Sequence, residues 1–343
     1  MIMKRKLIHT TTAFICLILL LIGVATGLYL NVKSYIKTPR DSQAADRIFV
    51  IQPGQSFSAI ADALEREKII SNSRIFKFYA RYKGLGEKLQ TGEYVLSGSR
   101  SPKDILGTLL MGKVKLYKIT IPEGLNIIET AGIVETAGFC NKETFVFLCK
   151  DPGFIHSLDI QASTLEGYLF PDTYFFPKHS GCQTIIKSMV RHFHQIFTTE
   201  WEERANKLGF SVFEIVTLAS IIEKETGDAS ERSVISSVFH NRMKKNMRLE
   251  SDPTVIYGIK NFDGNIKKKH LRIKTPYNTY QIKGLPLGPI ANPGEKALEA
   301  ALYPDSTPFL FFVSKKDTTH HFSKTIQEHN RAVRKYQLGK EQP

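Results

Sequence analysis

Two glutamates at the end of an apolar segment are the residues of this sequence best suited to acid–base chemistry. The segment over 211–227 reads SVFEIVTLASIIEKETG, with Ser211 able to cap a helix and Gly227 able to end it. Its interior is apolar on nearly every side, which is typical of a helix inside a core. A carboxyl on the continuation of a buried face loses hydration, so its pKa rises toward that of a general acid at neutral pH. The pattern therefore predicts a general acid at Glu223 or Glu225.

The helical period does not choose between these two glutamates. Residues two positions apart lie about 200° apart around a helix, so only one of them can face a given cleft. Each glutamate continues an apolar stripe of the segment, so both assignments remain open. A solvated helix end formed by Glu223, Lys224 and Glu225 is the alternative interpretation of the same residues.

Side chains that suit sugar binding are concentrated between residues 249 and 294. They are Glu250, Asp252, Thr254, Tyr257, Tyr277, Asn278, Thr279 and Tyr280. Tyrosine offers a flat face and a hydroxyl, and asparagine offers both a donor and an acceptor. The glycines and prolines of GLPLGPIANPG, at 284–294, favour a fixed irregular loop. We expect substrate contacts chiefly from Asp252, Asn278 and Thr279, with turn chemistry or core packing as the alternative for each residue.

Two further groups of polar residues lie outside this segment. EGYLFPDTYFF, at 166–176, is rich in large apolar residues and is expected to be structural, except for Glu166 and Asp172. We place Glu166 with Tyr257 and Tyr277 among the candidate substrate contacts. His320 and His321 are adjacent and lack a third ligand at metal-binding spacing, so we expect a polar role at a strand end and no metal site.

Several motifs in a fixed order resemble one known family. They are EGYLFPDTYFF (166–176), ASIIEKET (219–226), SVFHNRM (237–243), LESDPTVIYG (249–258), TPYNTYQIKGLPLGPIANPG (275–294) and FLFFVS (309–314). This series is similar to that of the endolytic murein transglycosylase family (MltG, also called YceG-like) over essentially the whole chain. The family's catalytic glutamate lies in the motif that reads EKET here. In other lytic transglycosylases the glutamate is followed directly by Ser or Thr, which favours Glu225, followed by Thr226, over Glu223. One departure is Leu287, where the family often has a second proline.

The resemblance implies cleavage of the β-1,4 bond between MurNAc and GlcNAc inside peptidoglycan glycan strands, without hydrolysis. In such a reaction the 6-hydroxyl of the muramic acid is the nucleophile and a 1,6-anhydroMurNAc end results. One carboxyl, here Glu225, can then serve as acid and as base, whereas an ordinary glycosidase uses two carboxyls. No cofactor is expected. The implied role is to terminate nascent strands beside penicillin-binding synthases.

The N-terminal region predicts a membrane anchor. Residues 7–32 contain no formally charged side chain, and Lys4, Arg5 and Lys6 precede them. This length suits a transmembrane helix over 12–32, and the basic cluster favours a cytoplasmic segment over 1–11. A cleaved signal peptide is the alternative, but its apolar region is usually shorter. We therefore expect a single-pass protein of the inner (cytoplasmic) membrane with a periplasmic catalytic domain.

The remaining chain predicts an α+β fold in two parts. A polar linker is expected over 33–47, a LysM-like module over 48–114 and a larger α+β catalytic domain over 115–340. The first part has a strand–helix–helix–strand pattern, with Ser56 or Ser58 capping one helix and Ser73 a candidate cap for the next. Its stretch from Pro53 resembles LysM modules, which hold glycan chains, and an adaptor without affinity for sugar is the alternative.

Charge and cysteines limit the functional classes. The formal net charge is +14, which favours an anionic partner. Since the anchor would export most of the chain, we expect attraction to membrane and cell wall and no nucleic-acid partner. Cys140, Cys149 and Cys182 are an odd number of exported cysteines without metal spacing, and we expect free buried thiols.

Two other functions compete with transglycosylation. One is a non-enzymatic, membrane-anchored glycan-binding or scaffold protein of the wall-synthesis machinery, which a LysM-like module and a basic surface could support. The other is a cytoplasmic pyridoxal-phosphate lyase. The predicted anchor argues against the lyase, as does the lack of a convincing glycine-rich phosphate loop beside a candidate Schiff-base lysine.

Overall fold

A computed structural model describes residues 2–85, 89–259 and 262–339. Small parts of the predicted segments 1–11, 48–114 and 115–340 therefore lie outside the described residues, at positions 1, 86–88, 260–261 and 340. The chain divides into two compact units, Met1–Tyr117 and Lys118–Pro343. Each unit is described by itself.

A long helix, α1 (Ile2–Lys37), opens the first unit. Its segment Phe14–Lys37 is long and apolar enough to cross a membrane, with a mean hydropathy of 2.4 and none of that window buried. The helix runs beyond the predicted 12–32 and takes in the start of the predicted linker. Near its end, Tyr35 packs against the core of the unit and donates a hydrogen bond to the carbonyl of Asn72 at 2.7 Å. The backbone N–H of Asp41 then bonds the carbonyl of Gly98, so this stretch is attached to the unit.

The remainder of the first unit has the predicted strand–helix–helix–strand order. Its elements are β1 (Arg47–Ile51), α2 (Phe57–Arg66), α3 (Ser73–Tyr82), β2 (Gly92–Leu96) and a further helix, α4 (Pro102–Leu110). β1 and β2 pair antiparallel, with Phe49 opposite Tyr94, and both side chains are buried in the core. Ser56 caps α2 as predicted. Asn72 rather than Ser73 caps α3, because the Ser73 hydroxyl instead donates to Asp62.

Helices dominate the second unit. Its elements are β3 (Tyr117–Thr120, which begins at the unit boundary), α5 (Ile127–Thr136), α6 (Lys142–Leu148), α7 (Pro152–His156), β4 (Thr173–Phe176), α8 (Gly181–Ile196), α9 (Thr199–Leu208), α10 (Val212–Glu225), α11 (Arg232–Lys244), α12 (Asp252–Tyr257), α13 (Glu295–Leu302), β5 (Phe311–Ser314), β6 (His320–Ser323) and α14 (Ile326–Tyr336). Short 3-10 turns lie at Ala229–Glu231 and His270–Arg272. β3 pairs with β4, and β5 pairs antiparallel with β6.

Helix α10 lies in the core of this unit, as its sequence predicts. Residues 215–222 are all buried, and the helix packs against α11 and α13. Ser211 caps it in a reciprocal capping box with Glu214. The helix ends at Glu225 with Thr226 as its last cap, one residue before the predicted Gly227. A side chain at Gly227 would lie 2.5 Å from the carbonyl oxygen of Thr318, so the glycine allows the β5–β6 turn to approach the end of α10.

The prediction of free thiols is wrong for two cysteines. Cys140, just before α6, forms a disulfide with Cys182 at the start of α8, with their Cα atoms 5.3 Å apart. Cys149 is buried and free, as predicted. The bridge forms because α6 packs against α8, and cysteine spacing does not show this contact across a separation of 42 residues.

Candidate active site

The carboxyl of Glu225, the last residue of α10, lies beside the start of α12. Its Oε1 accepts a hydrogen bond from the Ser251 hydroxyl at 2.6 Å. Burial raises the pKa of Glu225 to about 7, while the bond from Ser251 acts in the opposite direction, and the nearby charge of Asp252 also raises it. Glu225 can therefore hold a proton near neutral pH and release it again.

A buried set of hydroxyls fixes the position of Ser251. The Ser251 N–H donates to Thr279 Oγ1 at 3.0 Å, and the Thr254 hydroxyl donates to the Ser251 carbonyl at 2.6 Å. The two threonine hydroxyls are 2.8 Å apart and hydrogen-bonded. Since all three residues are at most 1% exposed, water cannot replace these bonds, and the Ser251 hydroxyl is held toward Glu225.

Asp252 follows Ser251 at the start of α12 and is exposed. Its Oδ1 accepts a hydrogen bond from the Tyr280 hydroxyl at 2.8 Å. Burial and the Asp252 charge raise the pKa of Tyr280, so its phenol remains a donor. The structure therefore brings a second carboxylate near Glu225, at a position that solvent can reach.

Glu223 has different partners from Glu225. Its Oε2 accepts a hydrogen bond from the Gly294 N–H at 3.0 Å, and its Oε1 lies 3.6 Å from an Arg232 nitrogen. The side chain is 9% exposed, and burial raises its pKa. The solvated helix end is therefore the wrong interpretation for the two carboxyls, although Lys224 between them is exposed. Glu223 joins the end of α10 to α11 and to the chain before α13.

A further buried carboxyl lies at Glu166. Its oxygens accept hydrogen bonds from the Ile127 N–H at 3.0 Å and from the Tyr257 hydroxyl at 2.9 Å. Burial raises its pKa to about 7. The Tyr257 and Tyr277 rings have centroids 4.8 Å apart. The structure thus brings together Glu166, Tyr257 and Tyr277, three of the predicted substrate contacts.

Asn278 and Thr279 are buried within the loop that carries them. The Asn278 amide nitrogen donates to the carbonyls of His270, Leu271 and Ile273, the shortest bond being 2.7 Å. Its amide oxygen accepts the Tyr280 N–H at 2.9 Å. Because both ends of the amide are used internally, the geometry favours a positioning role, and direct contact of Asn278 or Thr279 with a sugar stays a prediction.

Two other polar residues noted in the sequence have partners other than Glu225. Asp172 is exposed and lies 3.2 Å from His192. His320, at the start of β6, contacts Glu231 through its Nδ1 at 2.7 Å, which agrees with a polar role at a strand end. Among the described residues, no group of three or more His, Cys, Asp or Glu side chains could hold a metal ion.

Comparison with known proteins identifies the family. A match to the YceG-like family covers residues 49–335. The chain belongs to this family. It is 35% identical to an endolytic murein transglycosylase of Bacillus subtilis strain 168, over 90% of each chain. It is 29% identical to one from Streptococcus pneumoniae strain D39, covering 86% of this chain and 59% of that protein.

A solved structure of a YceG-like protein from Listeria monocytogenes is also similar. It is 35% identical, with a TM-score of 0.58, and the match covers 83% of this chain and 98% of that one. The mixed helix and strand architecture of this YceG-like chain therefore has an experimental counterpart.

A cavity of about 680 Å³ lies at the N-terminal end of α10 in this YceG-like protein. Its lining includes Phe210, Phe213, Met243, Met247 and Leu285, with Glu214 and Lys283 among the polar residues. Glu225 ends the 14-residue helix, about 20 Å away along its axis. The cavity is therefore separate from the candidate acid.

The sequence did not point to two residues of the candidate site in this YceG-like protein. Ser251 bonds the candidate acid, but one serine in LESDPT has no periodic or chemical signal that separates it from a turn residue. Arg242 also escaped notice. It donates to the carbonyl of Leu249 at 2.8 Å and to Glu250 at 3.2 Å, and so fixes the segment just before Ser251. The sequence shows neither that Arg242 is buried nor that it contacts Leu249 and Glu250, because both depend on the fold.

Proposed function

We propose that this protein is an endolytic lytic transglycosylase of peptidoglycan in which Glu225 is the acid and then the base. The observation that carries this proposal is the Glu225 carboxyl at the end of a buried helix, with its pKa raised to about 7 and the Ser251 hydroxyl on its oxygen. The naming of relatives as endolytic murein transglycosylases supports the reaction class.

The reaction consumes no water. Protonated Glu225 donates its proton to the glycosidic oxygen, the bond from MurNAc C1 to that oxygen breaks, and GlcNAc leaves with a new hydroxyl. The C6 hydroxyl of the same MurNAc attacks C1 and closes the 1,6-anhydro ring. Its proton returns to the Glu225 carboxylate, so the enzyme ends in its starting state. A pKa near 7 suits both transfers, because neither form is strongly favoured at neutral pH.

We assign roles to the residues around Glu225 from their positions and contacts. Asp252, exposed and close enough to raise the pKa of Glu225, would stabilise positive charge that develops at C1. Tyr277 and Tyr257 would offer ring faces to neighbouring sugars, and Glu166 would hold Tyr257 in place. Asn278 and Thr279 would hold the loop that carries them in a fixed conformation.

The apolar N-terminal helix and the disulfide support the proposed location. The apolar helix α1 is compatible with a single-pass anchor, and Lys4, Arg5 and Lys6 favour a cytoplasmic N-terminus in the inner membrane. The Cys140–Cys182 disulfide supports an oxidising compartment for the second unit. We place the enzyme beside nascent strands and penicillin-binding synthases, where its cuts would terminate elongation, with a LysM-like first unit holding glycan.

A paired assay tests the proposal. The full chain in detergent is incubated with uncrosslinked glycan strands, and 1,6-anhydro ends are measured by mass spectrometry. We expect Glu225→Gln to lower the rate by a factor of about 100 or more, since general acid catalysis contributes that much. Glu223→Gln should retain most of the activity if the protein stays folded.

The outcomes separate the candidate functions. Equal activity of Glu225→Gln and wild type would refute Glu225 as the acid, and loss at Glu223→Gln alone would transfer the role to that residue. Strands bound but never cut by wild type would favour the alternative, a non-enzymatic glycan-binding or scaffold protein. Hydrolysed reducing ends in place of 1,6-anhydro ends would refute the non-hydrolytic step.

A further inference from the structure

A strongly basic surface lies next to the candidate site. Residues 262–274, here called the basic loop, read FDGNIKKKHLRIK and contain five Lys or Arg residues and one acid. All five cations are exposed, namely Lys267, Lys268, Lys269, Arg272 and Lys274. The acid, Asp263, pairs with Lys267 at 2.9 Å. Among ion pairs between described residues, none joins the other four cations to an acid.

The backbone of the basic loop is fixed from inside. His270 is buried, its N–H donates to the Lys267 carbonyl at 2.8 Å, and its Nδ1 faces the Lys267 N–H at 3.2 Å. The Asn278 amide bonds carbonyls at 270, 271 and 273, and the Gln281 amide donates to the Leu271 carbonyl at 2.6 Å. The cations are therefore carried on an ordered surface, which reduces the entropy lost when a ligand binds.

A short series of contacts links the basic loop to Glu225. Asn278, which fixes the loop, directly precedes Thr279 in sequence. The Thr279 hydroxyl accepts the Ser251 N–H, and the Ser251 hydroxyl donates to Glu225. Tyr277 precedes Asn278, so a candidate sugar-facing ring shares the same segment. Residues 277–279 therefore connect the basic loop to the segment that holds Glu225.

We propose that the basic loop binds the carboxylates of stem peptides on the strand being cleaved, so that the enzyme prefers peptide-bearing glycan. This inference rests on the proposed function. Stem peptides are attached to the lactyl groups of muramic acid and carry free carboxylates, so a strand presents anions at regular intervals along its length. Lys and Arg bind carboxylates through charge-assisted hydrogen bonds. The link to Ser251 and Glu225 favours the strand over a lipid surface as the ligand.

The test compares two substrates with two matched variants. One variant is Lys268→Gln, Lys269→Gln, Arg272→Gln and Lys274→Gln together. The control removes the same charge from exposed positions elsewhere in the unit, by Lys187→Gln, Lys245→Gln, Lys324→Gln and Arg334→Gln together. Full-length proteins in nanodiscs of neutral lipid are assayed on uncrosslinked strands, either bearing peptides or stripped of them by an amidase.

We expect the loop variant to raise KM for peptide-bearing strands about fivefold or more, with kcat retained. Its KM for stripped strands and both constants of the control variant should match wild type. Added salt should weaken wild-type binding of peptide-bearing strands more than that of the loop variant, because exposed charge pairs are screened.

Three results would overturn the inference. They are an unchanged KM for peptide-bearing strands, an equal rise for both strands, and a difference that arises only when the nanodiscs contain anionic phospholipid. The last result would assign the loop to a lipid surface. Failure of the proposed function is distinguishable, because wild type would then cut neither substrate. In that case, co-sedimentation of peptide-bearing and stripped strands with wild type and the loop variant still tests the loop.

Discussion

Removal of the Ser251 hydroxyl should let the enzyme work at higher pH. The hydroxyl donates to Glu225 Oε1 at 2.6 Å and so stabilises the carboxylate form. In Ser251→Ala that stabilisation is lost while burial remains, so the pKa of Glu225 rises above its wild-type value of about 7. Since the proposed first step requires protonated Glu225, kcat/KM should fall as pH rises through this pKa, and the variant should lose activity at a higher pH than wild type.

The size of the change follows from the strength of the bond. A hydrogen bond to a charged group contributes about 1.5–3 kcal/mol, and about 1.4 kcal/mol corresponds to one pKa unit. The pH at which kcat/KM has fallen to half of its low-pH value, here called the alkaline midpoint, should therefore rise by about one to two units. The low-pH value of kcat/KM can itself fall, because Ser251 also orients the carboxyl, but the alkaline midpoint should still rise.

The assay is the pH dependence of kcat/KM for release of 1,6-anhydro ends by wild type, Ser251→Ala and a control. Ser236→Ala suits as the control, because Ser236 is also fully buried and donates to the Ala300 carbonyl at 2.6 Å, away from Glu225. We expect the control to lose stability with no change in its alkaline midpoint. If the alkaline midpoint of Ser251→Ala equals that of wild type or lies at lower pH, the role assigned to this bond and to the Glu225 pKa is refuted.

Three other predictions concern stability and order. Burial raises the pKa of Glu166 from 4.5 to about 7, so its contribution to the free energy of unfolding is full below pH 4.5 and declines by about 3 kcal/mol as pH rises through 7. Thermal unfolding from pH 4 to 8 should show a shallower decline in Glu166→Gln, and an equal decline would contradict this. The Cys140–Cys182 bridge spans 42 residues and should contribute about 4 kcal/mol. Reductant should therefore lower the Tm of wild type but leave that of a double Cys→Ser variant unchanged, and equal shifts in both would refute a stabilising bridge. Asn278→Ala should expose the basic loop to trypsin, with cleavage about tenfold faster, whereas an unchanged rate would show that its amide does not hold the loop.

Local patterns were enough to predict the central helix. Ser211 as cap, a core-like interior and carboxyls at the end of α10 all depend on neighbours within a few residues, and the structure places each of them as expected. The strand–helix–helix–strand order of the first unit was predictable for the same reason.

Contacts between distant residues were not predictable from these patterns. Ser251 lies 26 positions after Glu225, and Cys182 lies 42 positions after Cys140. Helical period places a side chain on a face but does not say which distant segment meets that face. For this reason periodicity left Glu223 and Glu225 equivalent, although their partners in the folded chain differ.

The length of α1 and its attachment through Tyr35 have a mechanical consequence for the first unit. α1 has 36 residues, about 54 Å of helix, whereas a bilayer core is about 30 Å thick. Its last turn packs on the first unit through Tyr35. If α1 crosses a bilayer, tilt or rotation of its membrane-spanning part also tilts or rotates this unit, because one continuous helix joins them. One residue inserted before Tyr35 would turn the unit by about 100° relative to the anchor, so helical phase sets its orientation at the membrane surface.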